Sequence, residues 1–357
     1  MHVLVLYADD QSSNLGVRAL ARGAAALADR AFPGCDVSYA SYGTRGIPVP
    51  VGSNRRLVRA RVAPGDPLRS WLGTFDLVLD MRAGDSFADI YGARRLVNQS
   101  MLASLARSAG TPVVMGPQTI GPFTTRRGRA VARWSLRKAR VVMARDRVSA
   151  DYAASLGRPV DVRSTDVVFA LPRPARTSTR DVVLNVSGLL WQPNPHVEAA
   201  SYRRTVRAVC DGLRDAGRTV SLMAHVIESP VADNDVPAVR ELAALVGGDV
   251  EVVLPQDLDE VREVTASAAV VVGSRMHACL NALSTGTPAV PMAYSRKFDP
   301  LLRDLGWEHT VDLRAASTPV EDVLALVKTD LTSDVAALLD TAEGLLAPAV
   351  AALRSVR

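Results

Sequence analysis

Short apolar runs alternate with amphipathic stretches along nearly the whole of this chain, and few architectures accept that pattern. Runs of this length read as strands buried on both faces of a parallel sheet, and the stretches between them are long enough to be crossover helices. In the first half, strands are expected over residues 3–7, 77–80, 112–116 and 140–144, with helices over 16–31, 94–109 and 125–139. Residues 171–179 (Leu-Pro-Arg-Pro-Ala-Arg-Thr-Ser-Thr) have the composition of a linker. A second series follows, with strands over 181–186, 218–224 and 250–253, another ending at Gly273 and one over 289–293. Its helices are expected over 201–216 and 257–266, and the tail is helical around 320–328 and 333–356. The pattern predicts an α/β fold of two βα domains, 1–172 and 180–330, with a cleft between them and a C-terminal helix (331–357) crossing back to the first.

Composition narrows the function classes. With 357 residues, 48% of them apolar, there is material for two cores. The opening run at 2–7 is too short for a signal peptide or a membrane helix, and no later apolar run is expected to reach spanning length. Cys35, Cys210 and Cys279 are too far apart to suggest a disulfide framework or a zinc site, so no metal is expected. The expectation is a cytoplasmic protein. Of the 42 basic residues only Lys138, Lys297 and Lys328 are lysine, a bias that reflects base composition more than function. Arg55, Arg56, Arg59 and Arg61 form either a solvated loop or a peripheral contact with an anionic surface at the inner face of a membrane. No motif or interleaved aromatic residue points to nucleic acid.

Polar residues at strand ends are the site candidates, because open α/β sheets bind ligands at the carboxyl ends of their strands. The run Gly273-Ser274-Arg275-Met276-His277 stands out: it directly follows a buried strand and carries a permanent cation beside a group that titrates near neutrality. An anionic substrate that must gain or lose a proton fits that pair. Asn14 and Gly16 follow the first strand, as an anion-binding helix start or as an ordinary cap. The loop 80–89 holds Asp80, Asp85 and Asp89, for sugar hydroxyls, for a general base, or for a self-satisfied turn. Two Gly-Pro pairs rigidify 116–123 and make Gln118 a candidate contact. Arg145 is an anion clamp or one half of a salt bridge. Asn185 and His225 stand at strand ends in the second half, and Lys297 is a candidate phosphate ligand beyond the strand at 289–293.

These motifs, in this order over about residues 1–310, resemble the polysaccharide pyruvyl transferase family: Asn14-x-Gly16, the 84–91 loop, Gly116-Pro117-Gln118-Thr119-Ile120-Gly121-Pro122-Phe123, Ala144-Arg145-Asp146, Ser164-Thr165-Asp166 and Ser274-Arg275-Met276-His277. The resemblance implies a GT-B-like fold, with two Rossmann-like domains facing a cleft. It also implies transfer of pyruvate from phosphoenolpyruvate onto two hydroxyls of a sugar, free or lipid-linked, as a cyclic ketal in cell-surface glycan or glycolipid synthesis. No cofactor is implied, with phosphoenolpyruvate serving as donor substrate. Arg275 and His277 then fall on donor binding and catalysis, with Ser274 beside them, Arg145 and Lys297 gripping the anion, and Asp85 or Asp89 acting as base. Gly16-Val17 and Arg82-Ala83-Gly84-Asp85 depart from the family's Asn-x-Gly-Asp and triple-glycine patterns, which puts the acceptor contacts in question. Two rivals are a glycosyltransferase using a nucleotide sugar and a non-catalytic glycan-binding subunit. Against the first, no acidic residue lies between Gly273 and Pro291, where such enzymes usually hold the ribose. Against the second, both Arg275 and His277 are present.

Overall fold

The interior strands of the first sheet are mostly apolar and buried along nearly their whole length, which a sheet covered on both faces requires. The computed structural model describes residues 1–41, 46–227, 229, 233–248 and 250–356. The chain runs β1 (His2–Leu6), α1 (Leu15–Ala31), β2 (Asp36–Ala40), α2 (Asn54–Val62), α3 (Pro67–Leu72), β3 (Leu77–Asp80), α4 (Ala93–Ser108), β4 (Val113–Gln118), α5 (Arg126–Lys138), β5 (Val141–Ala144), α6 (Arg147–Ser155) and β6 (Val162–Arg163). It continues through β7 (Arg180–Asn185), α7 (Gly188–Trp191), α8 (Ala199–Asp215), β8 (Val220–Met223), α9 (Asp235–Val246), β9 (Glu251–Val253), α10 (Leu258–Ser267), β10 (Ala268–Gly273), α11 (Met276–Ser284), β11 (Ala289–Ala293), α12 (Phe298–Asp304), β12 (Val311–Asp312), α13 (Pro319–Val327) and α14 (Thr332–Arg354).

Two six-stranded parallel sheets result, ordered β2-β1-β3-β4-β5-β6 and β12-β11-β10-β7-β8-β9. Both are doubly wound. The direction of winding reverses between β1 and β3 in the first sheet and between β7 and β10 in the second. The two compact units are Met1–Asp10, Leu20–Leu171 and Ala342–Arg357 for the first, and Gln11–Ala19 with Pro172–Thr341 for the second.

The interior strands lie where the apolar runs placed them. Strands β2, β6 and β12 were not expected, and all three are edge strands. An edge strand needs no continuous apolar run, and β2 (Asp-Val-Ser-Tyr-Ala) buries only Ala40. Helix α14 also corrects an expectation, since it is long and apolar enough to cross a membrane by length and composition. Its apolar residues Leu338, Ala342, Leu346, Ala349 and Leu353 repeat every three or four positions and are buried, so they form one packing stripe.

Candidate functional site

In the second unit, polar side chains gather where the sheet order reverses. Gly273 of β10 pairs with Asn185 of β7, so the segments that follow the two strands emerge side by side. Asn185 is fully buried and holds them together. Its Oδ1 accepts from the Arg275 backbone N–H at 2.9 Å, and its Nδ2 donates to the Met223 carbonyl at 3.0 Å. Expected as a ligand contact, Asn185 instead clamps three strand ends.

Arg275 was expected to grip an anionic substrate, yet its guanidinium is engaged with neighbouring carboxylates. Nε and Nη2 donate to Asp235 at 3.1 and 2.6 Å, and Nη1 lies 2.5 Å from Asp233. Burial works against the arginine's charge, but Asp235 and Asp233 outweigh it and hold its pKa above the ordinary value. Asp235 is wholly buried and also accepts from the backbone N–H groups of Gly188, His225 and Val226 at 2.7, 3.0 and 2.9 Å. One carboxylate thereby fixes the turns after β7 and β8 against the residue that opens α11.

His277, the second residue of α11, is half-buried. The start of α1 packs directly on it: a Cβ at Gly16 would stand 2.9 Å from His277 Nδ1 and 3.0 Å from its Cγ. Gly16 is therefore a close-approach glycine. Asn14 is an ordinary helix cap, its Oδ1 accepting from Gly16 N–H at 2.9 Å, while Leu15 N–H donates to the His225 carbonyl. Two helix N-termini thus converge on one imidazole, and their dipoles favour negative charge there. The side chain of Arg275, the N-cap of α11, makes no capping bond to that helix.

His225 is buried and works as scaffold. Asn281 accepts from the Arg262 guanidinium through Oδ1, which fixes its amide so that Nδ2 faces His225 Nε2 at 3.2 Å and the His277 carbonyl at 2.8 Å. His225 Nε2 is then the acceptor and its proton sits on Nδ1. Burial first, then the nearby His277 and Arg275, push its pKa well below the usual value, so it stays neutral. Ser274 is turned toward α8, its hydroxyl accepting from Tyr202 at 2.8 Å, while the Tyr202 oxygen accepts from Ser187 N–H. Lys297 follows β11, the neighbour of β10, and is half-buried. It lies near enough to His196 that, after burial, its charge is the next cause lowering that histidine's pKa.

In the first unit, Arg145 is buried and bonds Thr119 Oγ1 and Asp166 Oδ2 at 3.0 and 2.9 Å. Its Nη2 is buried without a hydrogen-bond partner among the described residues, as are the hydroxyls of Ser164 and Thr165. Gln118 is a strand tie, donating to the carbonyls of Asp80 and Gly116. Asp89, expected as a base, accepts four hydrogen bonds from the backbone and side chains of Thr124 and Thr125 at 2.8–3.2 Å. Burial raises its pKa, but those bonds prevail and hold it below the usual carboxylate range, which suits a staple and not a proton acceptor. Asp85 accepts from Tyr91 Oη at 3.0 Å. Asp80 and Arg82 form a wholly buried pair at 3.0 Å that anchors the 80–89 loop.

The sequence reading did not place Asp235, Asn281 or Tyr202 in the site. Asn281 was within reach of a pattern argument, because it lies one helical turn after His277. Asp235 and Tyr202 meet their partners only through tertiary packing.

Two doubly wound, six-stranded parallel sheets place the chain in the GT-B class of fold, which solved structures share. Among them, UDP-GlcNAc 2-epimerase from Methanocaldococcus jannaschii superposes with a TM-score of 0.55 at 8% identity, over 92% of this chain and 94% of that one. The UDP-GlcNAc 2-epimerase from Neisseria meningitidis bound to UDP-GlcNAc gives 0.53 at 10% identity, over 100% and 98%. MurG from Acinetobacter baumannii gives 0.52 at 13%, over 99% of each chain. No curated protein matches the chain in sequence. The sequence pattern of the polysaccharide pyruvyl transferase family matches residues 18–296, and the chain belongs to that family.

Proposed function

We propose that this protein transfers pyruvate from phosphoenolpyruvate onto two hydroxyls of a saccharide, releasing phosphate and leaving a cyclic ketal. The observation that carries the reading is His277, the half-buried histidine held at the reversal point of the second sheet between the starts of α1 and α11. An anionic donor is favoured there by both helix dipoles, and Lys297, after the adjacent strand, adds a positive charge. His225 is neutral and occupied, which leaves His277 as the proton-transfer group of this cluster.

The reaction balances without a cofactor. A proton adds to the methylene carbon of phosphoenolpyruvate, and C2 becomes electrophilic. One acceptor hydroxyl bonds to C2 and gives up its proton. The C2–O bond to phosphate then breaks, the second hydroxyl closes the ring and loses its proton, and of the two hydroxyl protons one replaces the proton added to carbon while the other leaves on the phosphate. His277 delivers the initial proton or protonates the departing phosphate. Arg275, locked between Asp233 and Asp235, is a positioning residue that fixes the backbone on which His277 stands.

The test is phosphate release from phosphoenolpyruvate with a panel of saccharide acceptors, wild type beside His277→Ala. Acceptor-dependent release, lowered about 100-fold or more by the substitution, is expected. Equal rates in the two proteins would remove His277 from the chemistry. Binding of nucleotide sugars without binding of phosphoenolpyruvate would overturn the reading as a whole.

A further inference from the structure

The first unit has its own cavity at its own reversal point. It measures about 540 Å³ and lies beyond the carboxyl ends of β1 and β2, where Tyr7 and Ser41 follow those strands. Tyr91, Arg94, Arg95 and Asn98, from the end of the loop after β3 and the first turns of α4, form the facing wall. Doubly wound sheets place ligands in the crevice where the winding reverses, and β1 and β3 flank that point.

The lining defines the ligand's chemistry. Among the described residues no acidic side chain lines the cavity, whereas two arginines do. Arg94 is exposed, and its side chain makes no ion pair or hydrogen bond among the described residues. Arg95 donates to Ser86 Oγ at 2.9 Å and stands 5.6 Å from the centre of the Tyr91 ring. That ring is 43% exposed, and its hydroxyl is tied to Asp85, so it is held beside the Arg95 guanidinium in a cavity that Arg94 also lines. Asn98 is held by the Gly52 carbonyl and Asn54 Oδ1, which joins the cavity rim to the start of α2. From there α2 exposes Arg55 and Arg59, and the rim is basic as well. A flat aromatic face suits the C–H face of a pyranose, and a pair of guanidinium groups suits phosphate oxygens. A volume of this size accommodates a sugar with one or two phosphates.

We propose that this cavity binds a saccharide carrying a phosphate or diphosphate ester, with Arg94 and Arg95 on the phosphate and Tyr91 under the sugar ring. Within the pyruvyl-transfer reading, on which this role rests, the bound molecule is the acceptor. The same chemistry is offered by a sugar 1-phosphate, a nucleotide-linked sugar and a lipid-diphosphate-linked sugar.

Isothermal titration of the full chain with galactose, galactose 1-phosphate, UDP-galactose, UDP and a short-chain prenyl-diphosphate galactose tests the assignment. It is repeated with Arg94→Gln and Tyr91→Ala. At least one phosphate-bearing sugar is expected to bind about tenfold or more tightly than galactose, and to lose about tenfold in Arg94→Gln. The tightest of the three phosphate-bearing sugars identifies the source. Since Arg94 is exposed and unpaired, that variant is expected to melt like wild type, so lost affinity reports the contact. Binding unchanged in both variants, binding of UDP as tight as of UDP-galactose, or no binding of any phosphate-bearing sugar would overturn the proposal. Phosphoenolpyruvate titrated into the same variants separates the two readings. Unaltered donor binding beside lost sugar-phosphate binding supports the cavity. Loss of donor binding in Arg94→Gln would assign the cavity to the donor and overturn its role for the sugar.

Discussion

A guanidinium buried between two carboxylates serves as a brace, because its charge is already matched before any substrate arrives. Arg275 is in that position, and Asp235 depends on it. Removing the arginine leaves a fully buried carboxylate with only backbone partners. Arg275→Ala is therefore expected to lose about 3–5 kcal/mol of stability in urea unfolding. Asp235→Asn is expected to be nearly as damaging, while Arg275→Lys retains the charge but not the fork and falls between. An Arg275→Ala protein as stable as wild type would show that the residue is not a brace. Gly16 gives a second measurement at this scale. A methyl group there meets the His277 ring at 2.9 Å, so Gly16→Ala is expected to cost about 1–3 kcal/mol by overpacking. It is also expected to lower kcat for phosphate release more than it raises KM for phosphoenolpyruvate, because the ring is displaced while the helix starts remain. The motif Asn14-x-Gly16 could be read from sequence as a helix start, but the reason for the glycine could not. It lies 261 positions away in the chain, in the side chain of His277.

At the level of elements, the legible part was what burial on two faces forces into the sequence. Interior strands β1, β3, β4, β5, β7 and β10 are nearly continuous apolar runs, and the candidate residues were found by looking just past their ends. Edge strands escape that logic, as do helices whose caps lie in polar loops. Asp66 caps α3 and Asn234 caps α9, each in a stretch with no apolar periodicity before it. The same ambiguity led to Asp89, because a carboxylate in a polar loop is a base or a staple according to which donors fold around it. As a staple it predicts a pH dependence. Its folded pKa lies below its unfolded value near 4, so its contribution is fully present above that value and is lost as pH falls through the folded pKa. Asp89→Asn is expected to cost about 1–2 kcal/mol at pH 7, reduced by its partial exposure. The gap between wild type and variant in urea unfolding should narrow below about pH 4. A gap that stays constant down to pH 3 would mean that the charge of Asp89 contributes nothing.

For the molecule as a whole, the sequence supported two α/β units but not the division of the last helix between them. Helix α14 reads in sequence as one amphipathic stretch, yet its residues up to Thr341 count with the second unit and Ala342 onward with the first. Within the first unit that last part is tied to α1 at both ends. Arg30 pairs with Glu343 at 2.9 Å, and Arg354 donates to the carbonyls of Ala31 and Arg30 at 3.2 and 2.8 Å. Between those ties Leu346, Ala349 and Leu353 are fully buried. The exposed ion pair contributes little by itself, so the buried residues carry the attachment, at about 1.5–3 kcal/mol for each leucine. Truncation after Thr341 should therefore act on one unit. In hydrogen exchange, the amides of α1 from Leu20 onward and of β1 are expected to lose protection, while those of β7, β8 and β10 keep theirs. Donor binding assigned to the second unit should then outlast sugar-phosphate binding assigned to the first. Equal loss of protection in both sheets would mean that the terminal segment stabilises the chain as one cooperative block, and that the packing of residues 342–357 within the first unit does not limit its effect to that unit.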